Sequence, residues 1–297
     1  MMSGFADQSV VRTTFDEASA VLGLDLWQLA CGGPDALQNQ TVNTQPLMLA
    51  AGVAAYRVWQ SVSEARPTLL AGHSLGEYSA LVAAGAIRFA DAVAVVRCRA
   101  EAMQDAVAEG EGAMAAILGL DDEPLIEACR EAALDQVLAP VNFNSPGQVV
   151  IAGHRAAVER GMEQCRARGA KRAVLLPVSV PSHCALMQPA AERLRQRLAT
   201  VDIQSPAIPV LHNADVASHA GPEQIREALV CQLYSPVRWV ETVREMAQRG
   251  VSRMAECGPG KVLAGLGKRI HPGVTTAAFV DLAALLQFKS DLEGAAA

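Results

Sequence analysis

Gly72-His73-Ser74-Leu75-Gly76 matches G-x-S-x-G. A serine in that setting sits on a strained strand-to-helix turn, and the glycines leave room for the turn and for a substrate. The helix that follows places a free N–H, here that of Leu75, beside a developing oxyanion. Glycine and serine are common, so these five residues alone also fit a loop serine between turn glycines. A serine nucleophile needs a base. Of the six histidines, His183 is the best placed. It follows an expected strand in Val-Pro-Ser-His-Cys, and sites in α/β sheets assemble at strand ends. By position alone it is only the best of the six.

Arg99 is the most informative charge. On a helix expected from Phe89 onward, Ala92, Val95, Val96, Met103 and Val107 form an apolar stripe at helical spacing. Arg99 lies on that stripe, whereas Arg97 points elsewhere. A buried guanidinium is costly unless paired. Two partners fit: one of the 31 acidic residues in a structural ion pair, or a substrate carboxylate held bidentately.

Helical and strand patterns alternate along the chain, which implies an α/β fold. An apolar run over 68–71, the Gly-flanked turn and a nearly all-apolar stretch over 75–87 read as strand, elbow and buried helix. A second helix is expected over 89–107. Further on, the pattern predicts a strand over 114–120, a helix over 121–134 and strands over 137–144 and 148–152. A helix over 155–168 and a strand over 172–180 follow. This β-α-β-β-α-β order is the ferredoxin-like pattern. It predicts a small lobe over 111–180 inserted into a large α/β lobe (1–110 and 181–297) with a mainly parallel sheet.

The 297 residues are 51% hydrophobic, 19% charged and 4% aromatic, which excludes a disordered chain. With 25 basic and 31 acidic residues the net charge is −6, against a nucleic-acid binder. No apolar run approaches the roughly 20 residues of a membrane span, and the opening residues lack the pattern of a secretory signal. Seven scattered cysteines without a C-x-x-C pair are neither a disulfide framework nor a zinc site, and read as free thiols in a reducing cytoplasm. Gly258-Pro-Gly-Lys and Gly265-Leu-Gly-Lys do not complete a phosphate-binding loop, and no metal or dinucleotide motif is present.

Several longer segments share one likeness: TQP over 44–46, AGHSLGEYSA over 71–80, VNFNSPGQVVIAG over 141–153, LPVSVPSHC over 176–184, QLYSP over 232–236 and GPGK over 258–261. With them the chain resembles the bacterial malonyl-CoA:acyl carrier protein transacylase family of fatty-acid synthesis over nearly its whole length. The resemblance implies a Ser74 nucleophile that carries a malonyl ester, with His183 as its base. It implies that the main-chain carbonyl of Gln232 orients His183, that Leu75 is an oxyanion donor and that Arg99 holds the malonyl carboxylate. Met103 and Ser182 would shape the acyl pocket, and His73 and Asn142 would join them in binding substrate. It implies malonyl-CoA as substrate, no bound cofactor or metal, an acyl carrier protein as partner, and a cytoplasmic monomer. Because such carriers are acidic, Arg155, Arg160, Arg166, Arg168, Lys171 and Arg172, or Lys268 and Arg269, are candidate docking charges.

Members of that family open with an apolar strand leading into Gly-Gln-Gly-Ser-Gln, which supplies the second oxyanion N–H and an inner strand. Here the chain reads MMSGFADQS, and Gln8-Ser9 has neither a preceding strand nor flanking glycines. The expectation is therefore an impaired enzyme, since losing one oxyanion donor costs about 100–1000-fold. A serine thioesterase or hydrolase and a non-catalytic acyl-binding form are the other two readings.

Overall fold

The computed structural model describes residues 2–178 and 180–296. Ser179, inside the expected strand over 172–180, lies outside the described residues, as do Met1 and Ala297.

Four helices come first: α1 (Ser9–Leu22), α2 (Leu26–Gly32), α3 (Asp35–Gln38) and α4 (Thr41–Val62). Pro46 lies inside α4 and has no N–H to give the carbonyl of Val42. Arg97 Nη1 takes up that carbonyl at 3.2 Å, which is where Arg97 points while Arg99 turns inward. The chain continues through β1 (Leu70–Ala71), α5 (Gly76–Ala83) and α6 (Phe89–Asp105). Val11, Phe15, Leu47, Ala54, Val95 and Val96 join one large apolar core built around α1, α4 and α6.

Residues 112–175 form β2 (Gly112–Leu118), α7 (Asp122–Ala133), β3 (Leu138–Ser145), β4 (Gln148–His154), α8 (Arg155–Ala167) and β5 (Arg172–Leu175). Their sheet runs β3-β4-β2-β5, antiparallel at every pair. The period of two sorts its faces. Ala113, Ala115, Ile117, Val149 and Ile151 share a core with α7 and α8. Met114, Val150 and Ala152 face the other way and pack on Cys184, the residue after His183. The hairpin between β3 and β4 turns at Gly147, whose φ of 68° suits glycine.

The remaining elements are α9 (Gln188–Leu198), β6 (Val210–Leu211), α10 (Pro222–Gln232), α11 (Trp239–Gln248), β7 (Arg253–Cys257), α12 (Val262–Ile270), β8 (Thr275–Phe279) and α13 (Leu282–Ala296). Strands β1 and β6 pair in parallel, as do β7 and β8. The expected parallel pairing is present. Among the described residues, however, it forms two separate two-stranded units rather than one continuous sheet. The ladder between β1 and β6 ends after two residues because its next groups are used elsewhere. The Asn213 N–H turns to the Glu77 carboxylate at 2.9 Å, and Gly72 carries the other strand into the elbow.

Strand β5 is also shorter than expected. It stops at Leu175, before Pro177 and Pro181, which have no N–H for a ladder. His183 therefore sits in a loop and not at a strand end. Its N–H donates to the Leu233 carbonyl at 3.0 Å.

Most of the basic group on α8 is occupied within the fold. Arg155 donates to Gly110 O, Arg160 to Ala132 O, Arg166 to Ala173 O, and Arg168 to Glu131. Lys171, Arg172, Lys268 and Arg269 are exposed. Among the described residues no helix is long and apolar enough to cross a membrane.

Candidate active site

The elbow is a matter of close backbone contact. A Cβ on Gly72 would stand 2.0 Å from the carbonyl carbon and oxygen of Gly76 and 2.5 Å from the Glu77 nitrogen, so only glycine fits. Ser74 sits at the apex with φ 51°, in the left-handed region that L residues seldom adopt. The N–H groups of Gly76 and Glu77 turn back to the carbonyls of His73 and Ser74. Leu75 lies at the N-cap of α5, and its N–H has no acceptor among the described residues.

Ser74 Oγ lies 2.8 Å from His183 Nε2. The opposite ring nitrogen, Nδ1, is 2.7 Å from the main-chain oxygen of Gln232. A carbonyl only accepts, so Nδ1 carries the proton and Nε2 is left to accept from Ser74 O–H. His183 is buried at 3% exposure and has φ 65°. Burial first, and the positive charge of Arg99 second, push its pKa down to about 3. The ring is therefore a neutral base at physiological pH.

Arg99 is 1% exposed. It donates to Gln45 Oε1 at 2.8 Å, to Gln232 Oε1 at 3.0 Å and to Ser74 Oγ at 3.2 Å. Its Nε has no partner among the described residues, and no carboxylate there makes an ion pair with it. Of the two partners the sequence left open, the structural ion pair is absent among the described residues. Met103, one turn along α6, is buried, and its Sδ lies 3.5 Å from Gln45 Nε2. Ser182 precedes His183 in the same turn, with its N–H on Val180 O at 2.9 Å.

The structure brings together Ser74, Leu75, Arg99, Met103, Ser182, His183 and Gln232. His73 and Asn142 stand to one side. His73 Nε2 lies 2.8 Å from Asn144 Oδ1, and its ring tilts against Trp239 at 5.6 Å. Asn142 is held through the main chain of β3, which bridges to Val237, so the asparagine side chain at His73 is that of Asn144.

A second group of residues escaped the sequence reading. Asn213 Oδ1 accepts the Ser74 N–H at 2.6 Å, and its Nδ2 donates to Gly72 O at 2.7 Å. Glu77 is fully buried and takes His212 Nδ1 at 2.7 Å and Gln232 Nε2 at 3.0 Å. Burial alone lowers the pKa of His212, but the hydrogen bond and charge of Glu77 outweigh it and hold the value above the ordinary one. No local spacing links these residues, since Glu77 and Gln232 are 155 positions apart. Among the described residues no group of three His, Cys, Asp or Glu side chains is placed to hold a metal ion.

A serine, a neutral histidine and a buried guanidinium around one oxygen suit acyl transfer to and from a carboxylate-bearing group. Comparison with known proteins agrees. The family model described as "Acyl transferase domain" matches residues 5–280. The malonyl CoA-acyl carrier protein transacylase of Escherichia coli is 56% identical over 280 residues, 94% of this chain and 91% of its own length. That of Bacillus subtilis is 44% identical over 271 residues, 91% of this chain and 85% of its own. Among solved structures, an acyl carrier protein S-malonyltransferase from Vibrio cholerae superimposes with TM-score 0.95 at 54% identity, covering 97% of this chain and 94% of that one. A malonyl-transacylase in complex with a type II PKS acyl-carrier protein does so with TM-score 0.94 at 53% identity, covering 95% of this chain and 92% of that one. The chain belongs to the acyl transferase family, among the malonyl CoA-acyl carrier protein transacylases.

Proposed function

We propose that this protein moves the malonyl group of malonyl-CoA to the phosphopantetheine thiol of an acyl carrier protein, through an ester on Ser74, in fatty-acid synthesis. The observation that carries the reading is Arg99: a buried guanidinium, free of any carboxylate among the described residues, 3.2 Å from the nucleophilic oxygen. Its distance from Ser74 is short enough for one malonyl group to span both.

Ser74 Oγ attacks the thioester carbonyl as His183 Nε2 takes its proton, while Gln232 O holds the proton on Nδ1. The Leu75 N–H faces the oxyanion. The thioester C–S bond then breaks, and the thiol of coenzyme A leaves with the proton from His183. In the second half the carrier thiol gives its proton to His183 and attacks the ester. The bond to Ser74 breaks, and its oxygen recovers the proton. Arg99 holds the malonyl carboxylate throughout, with Met103 and Ser182 shaping the acyl pocket and His73 and Asn142 contributing to substrate binding. The reading includes two lobes, 1–110 with 181–297 and a ferredoxin-like 111–180, in a cytoplasmic monomer.

The direct test is mass spectrometry after mixing with malonyl-CoA, followed by holo carrier protein. A malonyl adduct on Ser74 that passes to the carrier is the expected result. Free malonate appearing faster than malonyl carrier favours a hydrolase, and no adduct favours binding alone. In the same assay Arg99→Ala should lose about 10–150-fold in malonyl transfer, since a charged hydrogen-bonded contact is worth roughly 1.5–3 kcal/mol. Acetyl transfer should hold, and an unchanged malonyl-to-acetyl ratio sinks the carboxylate role.

A pH prediction follows from His183. Its pKa is pushed down to about 3 from an ordinary value of 6.5. Protonation, which would remove the base, therefore does not set in between pH 8 and about pH 5. The kcat/KM for malonyl-CoA reports the free enzyme and should show no descending acid limb at pH 6–7 from this base. A limb there that is lost in a variant of His183 overturns the lowered pKa of this base.

A further inference from the structure

Glu77 is in the first turn of α5, where an acidic residue at the surface would be ordinary. Here it is fully buried, and a buried carboxylate is costly unless its oxygens are satisfied. Its partners come from two distant segments. His212 and Asn213, after β6, supply a ring N–H and a main-chain N–H. Gln232, at the end of α10, supplies its side-chain Nε2.

Gln232 is the link to the reacting groups. Nε2 is shared between Glu77 and the Ser74 carbonyl, at 3.0 and 2.9 Å. Because Nε2 faces the carboxylate, Oε1 faces Arg99. A flipped amide would set its N–H groups against a guanidinium and its oxygen against a carboxylate, a repulsion at both ends. The carboxylate, together with the Ser74 carbonyl, thus fixes the polarity of an amide that separates it from the guanidinium. Arg99 is oriented without being engaged by an acid, and its remaining capacity stays open.

We propose that Glu77 is a positioning residue for malonyl selection, acting through the Gln232 side-chain amide on Arg99 and on the Ser74 backbone. The inference rests on the functional reading above and adds a residue to it. In Glu77→Ala the amide of Gln232 keeps the Ser74 carbonyl but loses the charged acceptor that holds its nitrogen away from Arg99. In Glu77→Gln the side-chain oxygen replaces the acceptor facing Asn213 and Gln232. The amide nitrogen then donates to Nδ1 of neutral His212, whose ring proton moves to Nε2, so the polarity of Gln232 is kept.

The test is the malonyl-to-acetyl ratio of Ser74 acylation, read by mass spectrometry on variants checked by circular dichroism. Glu77→Ala should lower the ratio at least about tenfold, and Glu77→Gln should return it to within about threefold of the parent. A loss of folded protein lowers both rates by one factor and leaves the ratio unmoved. If Glu77→Ala does not fold, Gln232→Met removes the amide while leaving the main-chain carbonyl, and the same fall of about tenfold is expected. A parent that forms the Ser74 ester, with the ratio unmoved in the folded variants, overturns the Glu77 assignment alone. A parent that forms no ester overturns the functional reading and this inference with it.

Discussion

Ser74→Ala should lower malonyl transfer by at least about 10⁴-fold, with binding of malonyl-CoA kept within about tenfold of the parent. The first number is large because the variant removes the atom that forms the new bond. His183 Nε2, 2.8 Å away, then has no proton to take. The second is small because Arg99 loses only its bond of 3.2 Å to Ser74 Oγ. Its bonds to Gln45 and Gln232 stay in place. Single-turnover acylation and calorimetric titration measure the two effects separately. Residual turnover above about one per cent would show that Ser74 is not the covalent nucleophile. A collapse of binding would show that Arg99 depends on Ser74 for its aim.

Gly72→Ala should be nearly as damaging, for a reason that lies in the backbone. Its Cβ would stand 2.0 Å from the Gly76 carbonyl carbon and oxygen, both main-chain atoms that have no rotamer to escape into. Relief requires the turn to open, and overpacking of this kind costs about 3 kcal/mol or more. Opening moves Ser74 away from His183, so the folded fraction should also lose about 10³-fold in acylation. Gly76→Ala is the control. Nothing lies within 4 Å of the Cβ it would add, and the position begins a helix. Its stability should stay within about 1 kcal/mol of the parent. Thermal unfolding and acylation of both variants decide the matter, and equal damage from the two would refute this account of the elbow. Two glycines that look alike in G-x-S-x-G thus do different work.

Local pattern is what the sequence exposes, and the helices expected over 75–87, 89–107, 121–134 and 155–168 and the order of the antiparallel strands followed from it. Apolar spacing predicted α6 over 89–107 and placed Arg99 on its buried stripe, where it lies at 1% exposure. Successive residues of β2 and β4 face opposite sides of the sheet, and both faces are covered. The strand expected over 172–180 overran because its apolar residues continue past Pro177 to Pro181. In the structure the missing N–H groups decided. The reach of the parallel pairing was invisible because ladder groups near the elbow are diverted to side chains, as the Asn213 N–H is to Glu77.

The site divides in the same way. Ser74, His183 and Arg99 stand out because each carries a local sign: flanking glycines, a strand-like lead-in and an apolar stripe. Glu77 carries a sign that misleads, an acid in a first helical turn. Asn213 and the side chain of Gln232 carry none. Their importance arises only when α5, α10 and the segment after β6 are folded together, across 139 residues in the case of Ser74 and Asn213.

The two reacting side chains share a backbone property. Ser74 at φ 51° and His183 at φ 65° both occupy the left-handed region. Each such residue costs about 1–3 kcal/mol, and the surrounding contacts must hold it there. Glycine would relax either position, yet at both it would delete the group that reacts. Selection for stability and selection for turnover therefore pull on these two positions in opposite directions. The fold keeps a pair of locally unfavourable conformations as a standing condition of its chemistry.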